Sequence, residues 1–213
     1  TVLEVSPIPG LVQKTANLVD SEQRNSDWAI FGQATIDILD WMSVTAGVRY
    51  TEEDKSLDYS IAPVTEAGRG LPNGTEVHDK FEAWTPMASL ALTLPQDLVA
   101  EAPIDHFMGY FSYSQGFRGG GFNSLLNADL SSLTPFDPET LNSYEVGMKS
   151  ITFDERLMLN LAFFLYDYED IQVTTSELEG DTVVSLTRNA AEGQGKGIEL
   201  EARGMVLPGF VVN

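Results

Sequence analysis

The stretch Met42-Ser43-Val44-Thr45-Ala46-Gly47-Val48-Arg49-Tyr50-Thr51 decides the fold, because its residues alternate without a break. Every even position carries an apolar side chain, and every odd position carries a small or polar one. Strict alternation over this length is typical of a β-strand with one apolar face and one wet face.

The same period of two recurs along the chain. No segment carries a sustained apolar stripe of period 3.6, so the sequence predicts an all-β chain. The clearest further segments are Trp28–Ile38, Trp84–Leu94, Leu157–Leu165 and Ile198–Arg203, with weaker alternation in His106–Gly116 and Ser143–Thr152.

The predicted strands are joined by short turns and long polar loops in turn. Short turns fall at Leu39–Trp41, Pro95–Pro103, Phe153–Glu155 and Leu207–Gly209, and long loops at Glu53–Lys80, Arg118–Pro138 and Thr174–Thr182. Short turns on one side and long loops on the other are the layout of an outer-membrane barrel. We therefore expect an antiparallel meander of about seven or eight strands that forms part of a transmembrane β-barrel.

The strand lengths fit a bilayer. Trp84 to Leu94 spans about 33 Å, which at a tilt of about 40° covers about 25 Å of membrane normal. Trp28, Tyr50 and Trp84 then fall near the long-loop rim and Trp41 near the other rim, as aromatic girdles do. The charged residues of the opposite face would line a watery interior; they are Arg49, Glu145, Lys149, Glu199 and Glu201.

A soluble β-sandwich also has alternating strands and is the main alternative fold. Sandwich strands usually run about 5–6 residues, shorter than the segments found here. A second layer packed on the row Leu157, Leu159 and Leu161 would favour the sandwich and remove the transporter interpretation.

Composition excludes several classes of function. The 213 residues carry 12 Lys and Arg against 32 Asp and Glu, a formal charge of −20, which argues against nucleic-acid binding. With no Cys and only His78 and His106, thiol catalysis, disulfides and multi-His metal sites are excluded. We expect no enzyme activity and no cofactor.

Local motifs add little chemistry. The segment Arg118–Asn123 is either a flexible segment near a ligand entrance or, as we favour, a turn that needs glycine for positive φ. Gly193–Gly197 lacks nucleotide-fingerprint spacing and more simply permits a β-bulge or close strand approach. Ser112–Gly116 lacks the first Gly of the hydrolase elbow. The carboxylates of Asp167–Asp170 could hold Ca²⁺, but a solvated strand end at a rim is the simpler interpretation.

An ordered set of segments resembles the barrel region of TonB-dependent outer-membrane receptors, over about residues 28–203. The matching segments are Phe31–Thr35, Thr45–Thr51, Tyr113–Arg118, Pro138–Ser150, Tyr166–Gln172 and Gly197–Glu201. The resemblance implies a barrel of about 22 strands filled by a plug domain. It also implies uptake of a scarce nutrient such as a ferric siderophore, cobalamin, haem or an oligosaccharide, energised by TonB.

The whole chain, 1–213, is then an interior piece of the barrel domain, and it contains nothing that resembles the plug or the TonB box. Thr1–Val5 lacks the basic start of a signal peptide, and the last residues read as a strand cut short. Expected partners are outer-membrane lipid and lipopolysaccharide, the rest of the barrel with its plug, TonB and a small nutrient. Candidates to line the ligand path are Arg49, Arg118, Asn123, Glu145 and Glu199.

Two expectations stay open. A passive porin-like channel shares every periodicity argument above, and a plug and TonB box elsewhere in the protein would distinguish active import from it. An open sheet has two unpaired edges for which lipid offers no hydrogen-bond partner. We therefore expect the isolated 213-residue polypeptide neither to insert nor to transport; substrate-dependent uptake by it in liposomes would contradict this.

Overall fold

A computed structural model of the chain describes residues 17–63, 75–99, 101–123, 135–179, 182–207 and 210–212. These residues form ten strands and one short helix. The elements are β1 (Asn17–Leu39), β2 (Met42–Pro63), β3 (Thr75–Thr93), α1 (Gln96–Val99), β4 (Ile104–Arg118), β5 (Gly121–Phe122), β6 (Pro135–Phe136), β7 (Glu139–Thr152), β8 (Leu157–Glu179), β9 (Thr182–Leu207) and β10 (Phe210–Val212).

Eight of the strands form one antiparallel sheet in the order β1-β2-β3-β4-β7-β8-β9-β10. Each strand pairs with its neighbour along the chain, except that the small β5–β6 hairpin lies between β4 and β7. The expected all-β meander of seven or eight strands is therefore confirmed. No helix in the described residues is long and apolar enough to cross a membrane.

One face of the sheet is apolar across its whole width. The strand register aligns one residue from each of seven strands into a single row, Ile36–Val44–Leu90–Phe111–Val146–Phe163–Ile198. Alternation within each strand places every member of this row on the same side. We call this side the apolar face.

The opposite side, which we call the polar face, has a different composition in the adjacent row. That row is Thr35–Thr45–Ser89–Ser112–Glu145–Phe164–Gly197. A shift of one residue in register thus exchanges an apolar row for a mainly polar one, which is the arrangement of a barrel wall between lipid and water.

No second layer covers the apolar face within the described part of the chain. Leu57 and Phe81, both on the polar face, are the only buried hydrophobic side chains there. On the apolar face Ile198 and Leu200 are 67% and 71% exposed. Leu157, Leu159 and Leu161 are half-buried by their neighbours in the sheet. The sandwich interpretation is therefore wrong.

The upper edge of the apolar face gives the tilt of the strands. On β1 the continuous apolar run ends at Trp28, which pairs with Glu52, and on β9 it ends at Ile198, whose row passes through Val44. The edge thus moves by eight residues of β2 in crossing six strand-to-strand steps. At about 3.3 Å per residue and about 4.8 Å between strands, this corresponds to a tilt of about 40°, within the range of transmembrane barrels.

The connections at the lower end are short, as expected. Asp40 and Trp41 form the β1–β2 turn, and α1 adds a single helical turn to the β3–β4 connection. The β7–β8 turn is tight, with Phe153, Asp154 and Glu155 all at positive φ. The carboxylate of Asp105 accepts the Glu155 N–H at 2.9 Å and holds this turn against the start of β4.

Two of the long polar loops, Glu53–Lys80 and Thr174–Thr182, were wrongly predicted wherever the structure describes them. Residues 53–63 and 75–80 continue β2 and β3, and 174–179 continues β8. Above a membrane neither face of a strand meets lipid, so apolar alternation stops although the strand pairing continues. Ion pairs of the Arg24–Asp58 kind, 3.3 Å apart, line these extensions instead.

Several predicted features lie outside the described residues. These are the N-terminal residues 1–5, the centres of two predicted loops at 64–74 and 124–134, and the turn residues 208 and 209. Phe210–Val212 is described and pairs with β9, which agrees with the predicted terminal strand.

Candidate functional site

The polar face is the candidate site, and its β1–β4 half is lined by small hydroxyl side chains. Thr35 and Thr45 lie opposite each other with their Oγ1 atoms 2.9 Å apart. Ser89 and Ser112 continue the same row on β3 and β4. These side chains are short and form hydrogen bonds, so this half presents a flat polar surface to the barrel interior.

The β4–β9 half of the polar face carries the acidic groups. The Tyr110 hydroxyl donates to Glu145 Oε1 at 2.6 Å, and Lys149 Nζ lies 5.6 Å from the Tyr110 ring centroid. One row further down, Asn160 donates to Glu201 Oε2 at 2.9 Å. Glu199, on β9, shares a row with Tyr110. Carboxylates, an ammonium group and a phenol thus gather on one patch.

Glycines make room for the aromatic side chains of this patch. A Cβ on Gly147 would lie 2.6 Å from the Tyr110 hydroxyl, so the phenol lies directly over this glycine. On β9, a Cβ on Gly197 would lie 2.5 Å from the Phe164 ring, and Phe164 stacks on Tyr166 at 4.9 Å. A β-bulge, one of the two roles predicted for Gly193–Gly197, lies beside Gly193, because the β8–β9 register shifts between Tyr168 and Ile171.

Arg49 stands apart from the acidic patch, on β2. Its Nε donates to Thr51 Oγ1 at 3.0 Å, and its guanidinium carbon lies 5.9 Å from the centroid of the Phe31 ring. Arg49 is exposed on the polar face, so its charge remains accessible from the interior. The sheet therefore holds the cationic and anionic candidates on different strands of one surface.

The glycine-rich segment after β4 is not the positive-φ turn that the sequence predicts. None of Gly119, Gly120 and Gly121 has a positive φ, and all three are buried. A Cβ on Gly120 would meet the Phe136 carbonyl oxygen at 2.1 Å and the Phe81 ring at 2.5 Å. Close packing against the polar face, not backbone conformation, is the physical reason for these glycines.

The two polar candidates that flank these glycines have different surroundings. Arg118 is exposed, and its guanidinium lies 3.7 Å from Glu139 Oε1. Asn123 uses its side-chain amide on the backbone of β9, donating to the Thr187 carbonyl and accepting the Thr187 N–H, both at 2.8 Å. Arg118 can thus reach a ligand, whereas the Asn123 amide is already engaged.

The apolar face ends in an aromatic belt, as predicted. Trp28 and Trp84 flank Tyr50 with ring centroids 5.3 and 4.9 Å from it, and both indoles are more than half exposed. Directly above the belt, Lys80 Nζ lies 2.9 Å from Glu52 Oε2. This hydrogen bond lowers the pKa of Glu52 and raises that of Lys80. The change from aromatic to charged side chains marks the level of the membrane–water interface on β2 and β3.

No metal site is formed by the residues that the structure describes, since no three His, Asp or Glu side chains converge on one point. Asp170, one of the possible Ca²⁺ ligands, lies in a bulge of β8 with a φ of 55°. Its carbonyl accepts Asn189 Nδ2 at 2.8 Å. The strand end predicted at Asp167–Asp170 is therefore wrong, because the position is a bulge and β8 continues to Glu179.

Comparison with known proteins identifies this architecture. The family model for the TonB dependent receptor-like β-barrel matches residues 5–210. The chain belongs to this family. Members are bacterial outer-membrane proteins, and the apolar face described above is the lipid-facing side of such a wall.

Individual relatives are similar at modest identity. The chain is 31% identical over 104 residues to the ferric-pyoverdine 358 receptor of Pseudomonas putida, covering 48% of this chain and 12% of that receptor. It is 25% identical over 184 residues to the pesticin receptor of Yersinia pestis, covering 85% of this chain and 24% of that receptor. The chain therefore spans a quarter or less of these relatives.

Solved structures share the fold. The ferric yersiniabactin uptake receptor FyuA from Yersinia pestis superposes with a TM-score of 0.68 at 22% identity, over 89% of this chain and 26% of that one. The RagAB peptide importer superposes with a TM-score of 0.51 at 10% identity, over 90% of this chain and 28% of that one. Barrels of this fold thus occur in importers of different cargo.

Sequence reasoning missed several residues of the polar face. Tyr110 was not a candidate, although its partner Glu145 was, because a tyrosine within an alternating strand gives no sign of its partner. Lys55 and Asn189 fell within or beside predicted loops. Both residues contact the β4–β7 connection where it folds back onto the sheet. The local sequence pattern does not predict that contact.

Proposed function

We propose that the complete protein is an outer-membrane receptor for TonB-energised active uptake of a scarce nutrient, and that the nutrient is a ferric siderophore. The observation that carries this is the sheet itself, with its apolar face outward, its polar face inward and a family match over nearly its whole length. The names of the ferric-pyoverdine receptor and of the ferric yersiniabactin uptake receptor support the siderophore class.

The polar face supplies suitable contacts for such cargo. Arg49 and Arg118 offer guanidinium groups to carboxylate or hydroxamate oxygens of a chelate, and exposed arginine favours planar anionic groups. Glu145 and Glu199 would line the route lower down. In the complete receptor we propose that these acidic groups face the plug or the passing solute, and that TonB supplies the energy through the part of the protein outside this chain.

The proposal is tested in cells that carry or lack the complete gene. Under iron limitation, uptake of ⁵⁵Fe presented on a panel of siderophores should require the gene and an intact TonB system. Uptake that continues without TonB would favour the passive channel instead. Gene- and TonB-dependent uptake of cobalamin, haem, oligosaccharide or peptide, with none of iron, would assign another nutrient to the same receptor.

A further inference from the structure

We propose that the base of the β4–β7 connection is a fixed brace across the polar face, and that Asn123 and Asn189 are the positioning residues that hold it. The brace comprises residues 119–123 and 135–138. It sets the size of solute that can reach the polar face below it. That the solute is a siderophore depends on the proposed function. The limit that the brace sets on solute size does not depend on it.

The brace crosses a split in the sheet. Pairing between β3 and β4 ends at Met87 and Ser114, although β3 extends to Thr75 and β4 to Arg118. On its other side β4 stays paired with β7 as far as Arg118 and Glu139. The upper parts of β3 and β4 therefore diverge, and the chain leaves β4 at the point where the split is open.

On the β2–β3 side the brace packs on a small core. Lys55 Nζ donates to the Gly120 carbonyl at 2.7 Å and lies 2.8 Å from Glu53 Oε2. The same ammonium lies 5.5 Å from the centroid of Phe81, whose side chain is only 6% exposed. Gly120 lies so close to Phe81 that any side chain would displace one of them. This side is therefore tightly packed.

On the β8–β9 side the brace is held by three amide side chains. Asn123 bonds both backbone groups of Thr187. Asn189 accepts the Asp137 N–H at 2.7 Å and donates to the Asp137 carbonyl at 2.7 Å. Gln172 Nε2 donates to the Gly119 and Asp137 carbonyls at 3.0 and 3.1 Å.

These contacts distinguish a brace from a ligand-binding loop. The Asn123 and Asn189 amides each use both their oxygen and their nitrogen on protein backbone, which leaves little capacity for a ligand. Both flanks of the split are connected through the same short stretch of chain. The structure thus assigns Asn123 to holding the mouth of the route, in place of direct contact with the solute.

The test measures the size limit without any nutrient. The complete receptor is expressed with Ser143→Cys on the polar face, in a background without other cysteines, and labelled on intact cells with a small maleimide or a 5 kDa polyethylene-glycol maleimide. The rate ratio of the large to the small reagent is compared among the parent, Asn123→Ala, Asn189→Ala and the double variant. Asn25→Ala, an exposed amide at the top of β1, is the matched control.

The double variant should raise the ratio of the large-reagent to the small-reagent labelling rate by at least about tenfold. Loss of several hydrogen bonds shifts the equilibrium between the held and the released brace by that factor or more. The single variants should fall between, and Asn25→Ala should match the parent. In parallel, hydrogen exchange at the Thr187 amide should accelerate in Asn123→Ala.

Three outcomes would overturn the proposal. An unchanged ratio in the double variant would show that the amides do not set the aperture. An equal rise for both reagents would indicate general loosening of the wall. Absence of labelling by either reagent in every variant would show that something other than the brace closes access to position 143. None of these outcomes bears on siderophore uptake, so failure here and failure of the proposed function remain distinguishable.

Discussion

Gly147 and Gly32 are both strand glycines, but their surroundings differ. A Cβ on Gly147 would meet the Tyr110 hydroxyl at 2.6 Å and the Leu161 carbonyl oxygen at 2.7 Å, whereas a Cβ on Gly32 would meet nothing within 4 Å. We expect Gly147→Ala in the complete receptor to lower the free energy of unfolding by about 1–3 kcal/mol, the usual cost of overpacking.

Gly32→Ala is the matched control and should leave stability close to that of the parent. Urea unfolding in detergent micelles, followed by heat-modifiable gel migration, measures both. Equal stability of the two variants would show that the Tyr110 ring does not lie over Gly147.

The ion pair above the aromatic belt should make stability depend on pH. Because Lys80 lowers the pKa of Glu52 in the folded state, the pair stabilises the fold above the ordinary pKa of a glutamate. That contribution is lost as the pH falls through the lowered value and Glu52 becomes protonated. Lys80→Gln should therefore lower the unfolding midpoint at pH 7 and have little effect at pH 3.

Lys80 Nζ also lies 3.1 Å from Glu82 Oε1. Glu82→Gln is therefore the control that separates the contribution of Glu52 to stability from that of Glu82. Urea midpoints of the parent, Lys80→Gln and Glu82→Gln at the two pH values provide the measurement. A Lys80→Gln effect of the same size at both pH values would contradict an ionic origin.

At the scale of a strand, Val44 and Thr45 are adjacent but face opposite environments. Val44 belongs to the seven-residue apolar row, and Thr45 to the polar row beside it. An arginine on the lipid side near the bilayer centre costs about 2–4 kcal/mol, whereas a substitution on the interior side leaves the lipid contact intact. Val44→Arg should reduce the folded fraction in lipid bilayers, and Thr45→Arg should not.

Folding yield of the complete receptor into lipid vesicles, scored by protease protection, measures this difference. Thr45→Arg removes the hydroxyl contact with Thr35, so a small loss is compatible with the account. A loss for Thr45→Arg as large as that for Val44→Arg would contradict the assignment of faces.

The strands could be predicted from the sequence only where a membrane imposes alternation. Between Met42 and Tyr50 one side chain in two meets lipid, so the pattern is complete and the prediction is confirmed. From Glu53 to Pro63 neither face meets lipid, and the same strand was interpreted as a loop. Glu145 could be predicted as a candidate from its position on the polar face alone. Lys55 and Asn189 could not, because their contacts are made to the β4–β7 connection, which is distant in sequence.

At the scale of the whole molecule, the sheet is a section of a wall. Its order of strands leaves β1 and β10 at the two ends, and lipid provides no partner for their outer backbone groups. The failure of the isolated polypeptide to insert therefore stays a prediction. The tilt of about 40° derived from the register indicates that the section belongs to a closed, sheared barrel.

The central claim is that lipid contacts one face and water the other. Single cysteines at each position from Ser43 to Thr51 of the complete receptor, spin-labelled in native outer membranes, test it most directly. Collision rates with oxygen, which concentrates in lipid, should peak at Val44, Ala46 and Val48. Rates with a water-soluble nickel chelate should peak at the positions between. Oxygen collision rates without a period of two would contradict the account.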